Sequence, residues 1–282
     1  MKIVRFGPVG RERPGLIDPS GIVRDLSGVL DDWTGAHLAP RELERIASLT
    51  HDSFPAVSAG TRLGMPLVQV RKFIAIGLNY KDHAEEAKLP IPSEPVIFCK
   101  ATSSLSGPSD DVVLPRGSQK SDWEVELGVV VGTTSRYVDE KQALEHVAGY
   151  CLVNDLSERE FQLERGGTWD KGKGCDTFGP IGPWLVTSDE INDPQDIDLW
   201  LEVNGIRRQD GTTRNMIFGV AKLLAYTSCF MTLEPGDILT TGTPKGVGMG
   251  SKPNPVFLNA GDRIRLGSSR LGIQEYAVRA GS

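Results

Sequence analysis

The chain has 282 residues, with 31 Lys and Arg against 37 Asp and Glu, so its formal net charge is −6. An acidic chain without a basic cluster is a poor candidate for nucleic-acid binding, which depends on neutralising phosphates. Apolar runs are short, and the longest helix-like apolar segment, 215–233, carries Lys222 in its middle, so the sequence predicts no membrane span. The first residues lack the apolar stretch of a signal peptide, and the four cysteines form no CxxC pair. We therefore expect a cytoplasmic globular protein without a zinc site or a disulfide framework.

Residues 1–70 contain short strand patterns separated by turn residues. The predicted elements are strands at Lys2–Phe6, Gly15–Ile17 and Gly21–Leu26, and a helix at Arg41–Ser48 with Pro40 near its first turn. None of these segments concentrates side chains with catalytic chemistry. The sequence therefore predicts a small β-rich domain over 1–70, followed by the main domain over 71–282.

From residue 71 onward, buried strands alternate with long polar loops that contain glycine. Strands are predicted at Phe73–Gly77, Val96–Lys100, Val125–Val131 and Cys151–Val153, a helix at about Met216–Phe230, and a final hairpin of Arg263–Leu266 with Ile273–Arg279. Gly-Asp turns at 236–237 and 261–262 each precede a strand. Strands outnumber helices and do not alternate with them regularly, which argues against a Rossmann fold or a barrel.

Acidic residues flank two of the predicted strands. A strand's period of two places Glu124 and Glu126 on one face, and Asp155 follows the next buried strand. An apolar run directly follows Glu126, and unpaired buried carboxylates are costly. Three carboxylates without a nearby His or Cys favour Mg²⁺, Mn²⁺ or Ca²⁺ over zinc. The residues alone leave two alternatives open, an exposed strand face with two solvated acids and, for Asp155, a helix N-cap.

Three other segments carry residues that suit a catalytic site. On a helix His83 and Glu86 share a face, and such a pair is either a general base with its carboxylate or an ordinary surface pair. The loop Arg165–Thr177 offers lysines and glycines to an anionic substrate, or is a flexible solvated loop. The glycine-rich segment Thr240–Gly250 would expose backbone N–H groups to a carboxylate, or is a tight connection.

In chain order, these segments resemble the fumarylacetoacetate hydrolase family over about residues 70–282. The resemblance is carried by Gly77–Tyr80 with Asp82 and His83, Pro95–Lys100, Glu124–Gly128, Asn154–Asp155 with Glu158 and Arg159, Lys171–Lys173, and Gly242–Gly248. It implies an α+β, mostly β fold, a mixed β-sheet roll that is usually dimeric. The run Asn154–Gln162 is most similar to a bacterial branch of ureidoglycolate lyases and diketo-deoxy-sugar-acid hydrolases, although Thr168 stands where that branch often has glutamine.

The resemblance also implies roles for individual residues. The implied sets are the metal ligands Glu124, Glu126 and Asp155 for Mg²⁺ or a related cation, the catalytic residues His83, Glu86 and Lys173, with His83 and Glu86 on a lid helix, and the substrate-binding residues Arg159, Gln162, Thr177 and Thr243. Thr243 is the position that would meet a substrate carboxylate.

The implied activity is divalent-metal-dependent hydrolysis of a C–C bond in a 2,4-diketo acid, an acylpyruvate or a diketo-deoxy sugar acid, through a metal-bound enolate. The same residues would also suit ureidoglycolate lyase activity, decarboxylation of a 2-oxo acid, or isomerisation or hydration of a dienoate. A non-catalytic, metal-stabilised binding protein belongs to a different class, and such a protein has no use for the base that His83 and Glu86 would form. The expected partners are a small 2-oxo or 2,4-diketo acid and a second copy of the chain.

Overall fold

The computed structural model describes residues 1–281, which form mainly β-strands. The strands are β1 (Lys2–Phe6), β2 (Arg13–Ile17), β3 (Val23–Asp25), β4 (Leu63–Gly64), β5 (Phe73–Gly77), β6 (Val96–Lys100), β7 (Leu105–Ser106), β8 (Val112–Val113), β9 (Ser121–Asp122), β10 (Val125–Val131), β11 (Val147–Asn154), β12 (Ser157–Glu158), β13 (Gly179–Thr187), β14 (Asp198–Val203), β15 (Ile206–Thr212), β16 (Ile238–Thr240), β17 (Arg263–Ser268) and β18 (Gly272–Arg279). The α-helices are α1 (Pro40–Ala47), α2 (Lys81–Ala87), α3 (Arg159–Leu163), α4 (Asp170–Lys173) and α5 (Val220–Ser228). Within residues 1–281, no helix combines the length and the hydrophobicity needed to cross a lipid bilayer.

Most of the strands belong to one mixed sheet of eleven strands. Its main path is β3-β2-β1-β13-β11-β10-β16-β5-β6, with β4 paired to β1 and β7 paired to β13. Neighbours on this path are antiparallel except β16 and β5. A second sheet has the order β15-β14-β17-β18-β8, and β12 pairs with β9. The predicted α+β, mostly β architecture with mixed sheets is confirmed.

The N-terminal segment contributes strands to the central sheet. β1 pairs antiparallel with β13, in the register that sets Ile3 opposite Leu185. Trp33 is fully buried in a hydrophobic cluster that also contains Val130 and Val153 of the central strands. Residues 1–70 therefore share both a sheet and a core with the rest of the chain.

Strands β10 and β11 lie side by side within this sheet and bring the acidic residues together. All residues of both strands are buried, because alternate side chains pack into two hydrophobic clusters, one on each face of the sheet. The register pairs Val125 with Asn154, and the N–H of Asp155 donates to the carbonyl of Glu124 at 2.9 Å. The two acidic segments therefore meet where β10 begins and β11 ends. The alternative of an exposed face with solvated acids is wrong.

The late helix begins later than predicted. α5 starts at Val220 rather than at Met216, because backbone N–H groups before it are bound elsewhere. The N–H of Ile217 donates to the carbonyl of Asn79 at 2.7 Å, and the N–H of Phe218 donates to Asn79 Oδ1 at 2.9 Å. These contacts hold the chain extended up to Gly219. They join residues far apart in the sequence, so periodicity could not indicate them.

Gly149 in β11 lies close against the backbone of β13. A Cβ atom at this position would lie 2.2 Å from the carbonyl oxygen of Val186, a backbone atom that cannot easily move. We expect Gly149→Ala to lower the free energy of unfolding by about 1–3 kcal/mol, the usual cost of overpacking. Gly28→Ala is the matched control, because a Cβ there meets nothing within 4 Å. Urea unfolding measures both, and equal midpoints for the two variants would contradict this packing.

Candidate active site

Three buried carboxylates converge where β10 begins and β11 ends. Oxygen atoms of Glu124, Glu126 and Asp155 lie within 4.8 Å of one another. Glu124 and Glu126 flank the first residue of β10, so they project to one side of the strand, while Asp155 follows β11 directly. The structure therefore brings together the three residues that were predicted as metal ligands.

Three buried cations surround these acids. Lys173 Nζ lies 2.7 Å from Glu124 Oε2 and 2.7 Å from Asp155 Oδ2. Lys100 Nζ lies 2.6 Å from Asp155 Oδ1, and Arg159 Nη2 lies 2.7 Å from Glu124 Oε1. Lys173 ends the short helix α4, so this part of the segment Arg165–Thr177 is an ordered, buried element, and the alternative of a flexible solvated loop does not hold there.

Glu126 has neutral partners instead of a close cation. Its Oε2 accepts hydrogen bonds from Thr240 Oγ1 at 2.5 Å and from the N–H of Gly242 at 2.8 Å. Burial raises the pKa of Glu126 well above its usual range, and the negative charges of Asp155 and Glu124 raise it further. The charged form of Glu126 therefore needs an additional positive charge.

The pKa of Glu124 is shifted in the opposite direction. Burial alone would raise its pKa, but the positive charges of Lys173 and Arg159 outweigh burial and lower the pKa to about 2. Asp122 also lies in this cluster, because Arg159 Nη2 contacts its Oδ2 at 2.8 Å. When all groups are ionised, the site holds four carboxylates and three cations, all of them buried.

A divalent cation fits this set of residues. The cluster offers carboxylate oxygens alone, the ligands that hard cations prefer. A charge of +2 would also change the excess negative charge of the ionised cluster into an excess positive charge, which favours an anionic ligand. Glu124, Glu126 and Asp155 would hold the cation, and Glu126 in particular would gain the positive charge that its burial requires.

His83 and Glu86 form a pair on α2. His83 Nδ1 lies 3.2 Å from Glu86 Oε2, at the predicted spacing of three residues. The carboxylate of Glu86 also accepts hydrogen bonds from the N–H of Gly246, at 3.0 and 3.2 Å for its two oxygens. Because Nδ1 faces the carboxylate, Nε2 is the ring nitrogen that remains to accept a proton.

The backbone N–H groups of the glycine-rich segment after β16 bind carboxylates. The carboxylates are those of the chain itself. Gly242 donates to Glu126, Gly246 donates to Glu86, and Gly248 and Met249 donate to Asp122 at 2.6 and 3.0 Å. This single segment therefore fixes three carboxylates, those of Glu126, Glu86 and Asp122.

Most of these groups face one cavity of about 300 Å³. The predicted residues that line it are His83, Glu124, Glu126, Arg159, Gln162, Lys173 and Thr243. Asp155 and Glu86 do not line it and instead contact residues that do. Thr177 also lies outside the lining, and its Oγ1 accepts a hydrogen bond from the N–H of Val113 at 2.8 Å. The structure therefore does not bring Thr177 to the other predicted site residues.

The hydroxyl of Thr243 already has protein partners. It donates to the carbonyl of Val125 at 2.9 Å and accepts a hydrogen bond from Gln209 Nε2 at 2.8 Å. Gln209 Oε1 in turn accepts from the N–H of Val125 at 2.9 Å. Thr243 and Gln209 therefore fix the start of β10, next to Glu124 and Glu126.

The sequence assigned no role to two charged residues of the site, Lys100 and Asp122. Lys100 ends β6, and its Nζ donates to the carbonyls of Lys173 at 2.5 Å and Leu156 at 3.2 Å besides its ion pair with Asp155. A charged residue at the end of an apolar strand was the available signal for Lys100. Its partners follow it by more than fifty residues, so spacing could not identify them.

Comparison with known proteins places the chain in a group of similar sequences and folds. Residues 72–279 match the family model described as fumarylacetoacetate hydrolase, C-terminal. A curated protein of Burkholderia ambifaria, whose name gives only the reaction class of hydrolase, is 59% identical over 99% of each chain.

Solved structures of similar proteins cover this chain completely. A fumarylacetoacetate hydrolase from Exiguobacterium antarcticum is 37% identical, with a TM-score of 0.89 and 100% of both chains covered. A maleylpyruvate hydrolase from Sphingobium, solved in complex with manganese(II) and pyruvate, is 31% identical, with a TM-score of 0.83 and 100% of both chains covered. A 2-hydroxyhepta-2,4-diene-1,7-dioate isomerase from Mycobacterium marinum is 28% identical, with a TM-score of 0.76 and 100% of this chain and 99% of that chain covered.

Proposed function

The chain belongs to the fumarylacetoacetate hydrolase family, and we propose that it is a divalent-cation-dependent hydrolase that cleaves a C–C bond of a 2,4-diketo acid. One observation carries this proposal. The carboxylates of Glu124 and Glu126 and the imidazole of His83 line the same cavity, so a cation site and a base would meet one ligand. Mg²⁺ is the ion that we propose, with Mn²⁺ or Ca²⁺ as alternatives.

The bound cation would supply Lewis-acid stabilisation of the negative charge that develops on the oxygens of the oxo acid. His83 Nε2 would take a proton from a water molecule, whose oxygen then bonds to the distal carbonyl carbon. Glu86, fixed by the N–H of Gly246, would hold the imidazole in orientation and stabilise its positive charge. The bond between the distal carbonyl carbon and C3 would then break, its electrons would pass to the pyruvate fragment, and the proton on His83 would return to C3.

Lys173 would stabilise the oxyanion that forms at the distal carbonyl. An ammonium group has three N–H donors, and two of them are used by Glu124 and Asp155 at 2.7 Å. The remaining contact, to the carbonyl of Asp155, is long at 3.5 Å, which leaves donor capacity for a ligand. The loss of one such oxyanion donor typically raises a barrier by about 2.7–4 kcal/mol.

The comparisons support this reaction class and also favour a second candidate. The Sphingobium maleylpyruvate hydrolase contains manganese and pyruvate, a cation and a 2-oxo acid of the type that we propose here. The isomerase from Mycobacterium marinum suggests isomerisation of a dienoate, in which His83 would move a proton between carbons instead of activating water. Lyase action on ureidoglycolate and decarboxylation would use the same groups, and a cytoplasmic homodimer remains part of the proposal.

A substrate screen tests the proposed function. We expect acylpyruvates to be cleaved in the presence of Mg²⁺ or Mn²⁺, measured as loss of diketone absorbance, and a chelator to stop the reaction. Analysis of the products distinguishes cleavage, which releases pyruvate, from isomerisation, which leaves the carbon skeleton intact. A protein whose melting temperature rises with the cation but which converts no oxo acid would instead be a non-catalytic binding protein.

A further inference from the structure

The cavity has a charged end and an apolar end. Its charged and titratable lining residues are Glu124, Glu126, His83, Arg159 and Lys173. The rest of the lining is mainly aliphatic and aromatic, and includes Ile76, Leu78, Val96, Phe98, Leu163 and Trp169. A ligand whose oxo-acid group binds beside the carboxylates would therefore extend its other end along apolar side chains.

Phe98 joins the two ends. Lys173 Nζ lies 5.3 Å from the centroid of the Phe98 ring, and the Trp169 ring packs edge-on against Phe98 with the two centroids 5.2 Å apart. Trp169 in turn lies against Gly77, where a Cβ atom would be 2.4 Å from the indole. The aromatic wall is therefore held in place by packing and begins directly beside the catalytic lysine.

Among the described residues, no unpaired Arg or Lys side chain lines the cavity, and Lys88, between the lining residues Ala87 and Leu89, is exposed and is not part of the lining. Arg159 and Lys173, the cavity-lining Arg and Lys side chains, are both paired with carboxylates of the charged end. Nearby on the chain, Arg165 pairs with Glu160, and Lys171 Nζ donates to the carbonyl of Arg165. A carboxylate at the far end of a ligand would lose its hydration without gaining a partner, which is costly.

The mouth of the cavity is also apolar. Leu89, Val96, Leu163 and Met249 line the cavity and remain exposed to solvent. Exposed apolar residues are common singly, but a group around one opening marks a binding site. An aliphatic chain that reaches this opening would cover them.

We propose that the substrate is a monocarboxylate acylpyruvate with an aliphatic acyl chain, in preference to a diketo sugar acid or a diketo diacid. This inference rests on the proposed function and specifies its substrate. Hydroxyl groups of a sugar acid would find few partners among the apolar side chains named above, which have no hydrogen-bonding groups except the indole N–H of Trp169. The polar lining residue Gln162 belongs to the charged end, where its Oε1 accepts a hydrogen bond from Arg159 Nη1 at 3.1 Å.

A substrate series tests the proposal with the full-length protein and Mg²⁺. The series is acetyl-, butanoyl- and hexanoylpyruvate, with adipoylpyruvate as the diacid matched to hexanoylpyruvate. We expect kcat/KM to rise by roughly fourfold for each methylene group that becomes buried. We expect adipoylpyruvate to be at least about tenfold poorer than hexanoylpyruvate because its far carboxylate is desolvated. Equal rates along the series, or a preference for the diacid, would overturn the inference, whereas no cleavage of any member would overturn the proposed function itself.

Two substitutions locate the preference in this cavity. Leu163→Lys places a cation at the mouth and should shift the ratio of kcat/KM values toward adipoylpyruvate by about tenfold, the size of the penalty that it removes. Ile206→Lys is the matched control, since Ile206 is 55% exposed and Leu163 is 49% exposed, but Ile206 does not line the cavity. An unchanged ratio in Leu163→Lys, or the same shift in both variants, would contradict the assignment.

A binding measurement tests the apolar end of the cavity independently of turnover. In calorimetric titrations with Mg²⁺ present, 2-oxooctanoate, which has no 4-oxo group to hydrolyse, should bind more tightly than 2-oxosuberate of the same length. Trp169→Ala should weaken binding of 2-oxooctanoate while leaving pyruvate binding unchanged. Equal affinities for the two 2-oxo acids in the wild-type protein would count against the apolar end as the acyl site.

Discussion

Glu126→Gln should abolish cation binding and turnover, and leave the metal-free protein at least as stable as the wild type. The loss of cation binding and the preserved stability both follow from the partners of Glu126. Its Oε2 accepts from Thr240 and Gly242, and an amide oxygen can accept the same hydrogen bonds. The substitution also removes a buried negative charge that is repelled by Asp155 and Glu124, the repulsion that adds to burial in raising the pKa of Glu126. The variant therefore loses a metal ligand without leaving a cation unpaired.

Thermal unfolding with and without Mg²⁺ measures both effects. At a free cation concentration of about 100 times Kd, binding should stabilise the wild type by about 2.7 kcal/mol and the variant by nothing. Glu140→Gln is the control, because Glu140 is solvent-exposed and pairs with Lys222 at 3.6 Å. A Glu126→Gln protein that still gains stability from Mg²⁺ would show that the cation binds elsewhere.

Asp155→Asn should behave differently from Glu126→Gln although both residues are predicted ligands. Asp155 pairs with Lys100 at 2.6 Å and with Lys173 at 2.7 Å, and all three side chains are buried. Neutralising Asp155 leaves two buried ammonium groups with one counter-charge fewer. Breaking a buried ion pair costs about 3–5 kcal/mol, so this variant should unfold more easily even without the cation. The comparison separates the role of the triad in stability from its role in cation binding.

The carboxylate triad could be predicted because its signals are local. The alternation over Glu124 and Glu126 lies within one strand, and Asp155 directly follows another strand. A resemblance over several ordered motifs then assigned them to one site. Whether these residues are buried or exposed remained open, because it depends on what packs around β10. Its neighbour β16 and much of the core that covers it lie far away in the sequence, β16 by more than one hundred residues.

The residues that sequence reasoning missed or misplaced depend on contacts distant in sequence. Lys100 and Asp122 become part of the site only through partners on other elements, Asp155 for the lysine and Arg159 for the aspartate. Thr177 has the residue type of a pocket residue, yet its hydroxyl bonds the N–H of Val113. Hydrogen-bond partners of this kind are set by the packed chain and leave no period or spacing in the sequence.

His83→Ala should lower kcat/KM by about 10²–10⁴ while leaving cation affinity and stability close to those of the wild type. The expectation rests on the position of His83, which lines the cavity and is not part of the carboxylate cluster. Its ring contacts Glu86 on the same helix, so its removal leaves the strands that carry Glu124 and Asp155 intact. Turnover is measured on acylpyruvates with Mg²⁺, and cation affinity by calorimetry.

The control variants decide what a loss of activity in His83→Ala means. His51→Ala removes a histidine whose Nε2 lies 3.2 Å from the carbonyl oxygen of Ile46 and which lies outside the cavity, so this variant should retain full activity. Glu86→Gln keeps a hydrogen-bond acceptor beside His83 but removes the charge that stabilises the imidazolium, so its activity should fall less than that of His83→Ala. Wild-type turnover in His83→Ala would exclude His83 as the base. Loss of cation binding in the same variant would instead place the imidazole among the ligands, because a base that acts on water has no part in holding the ion.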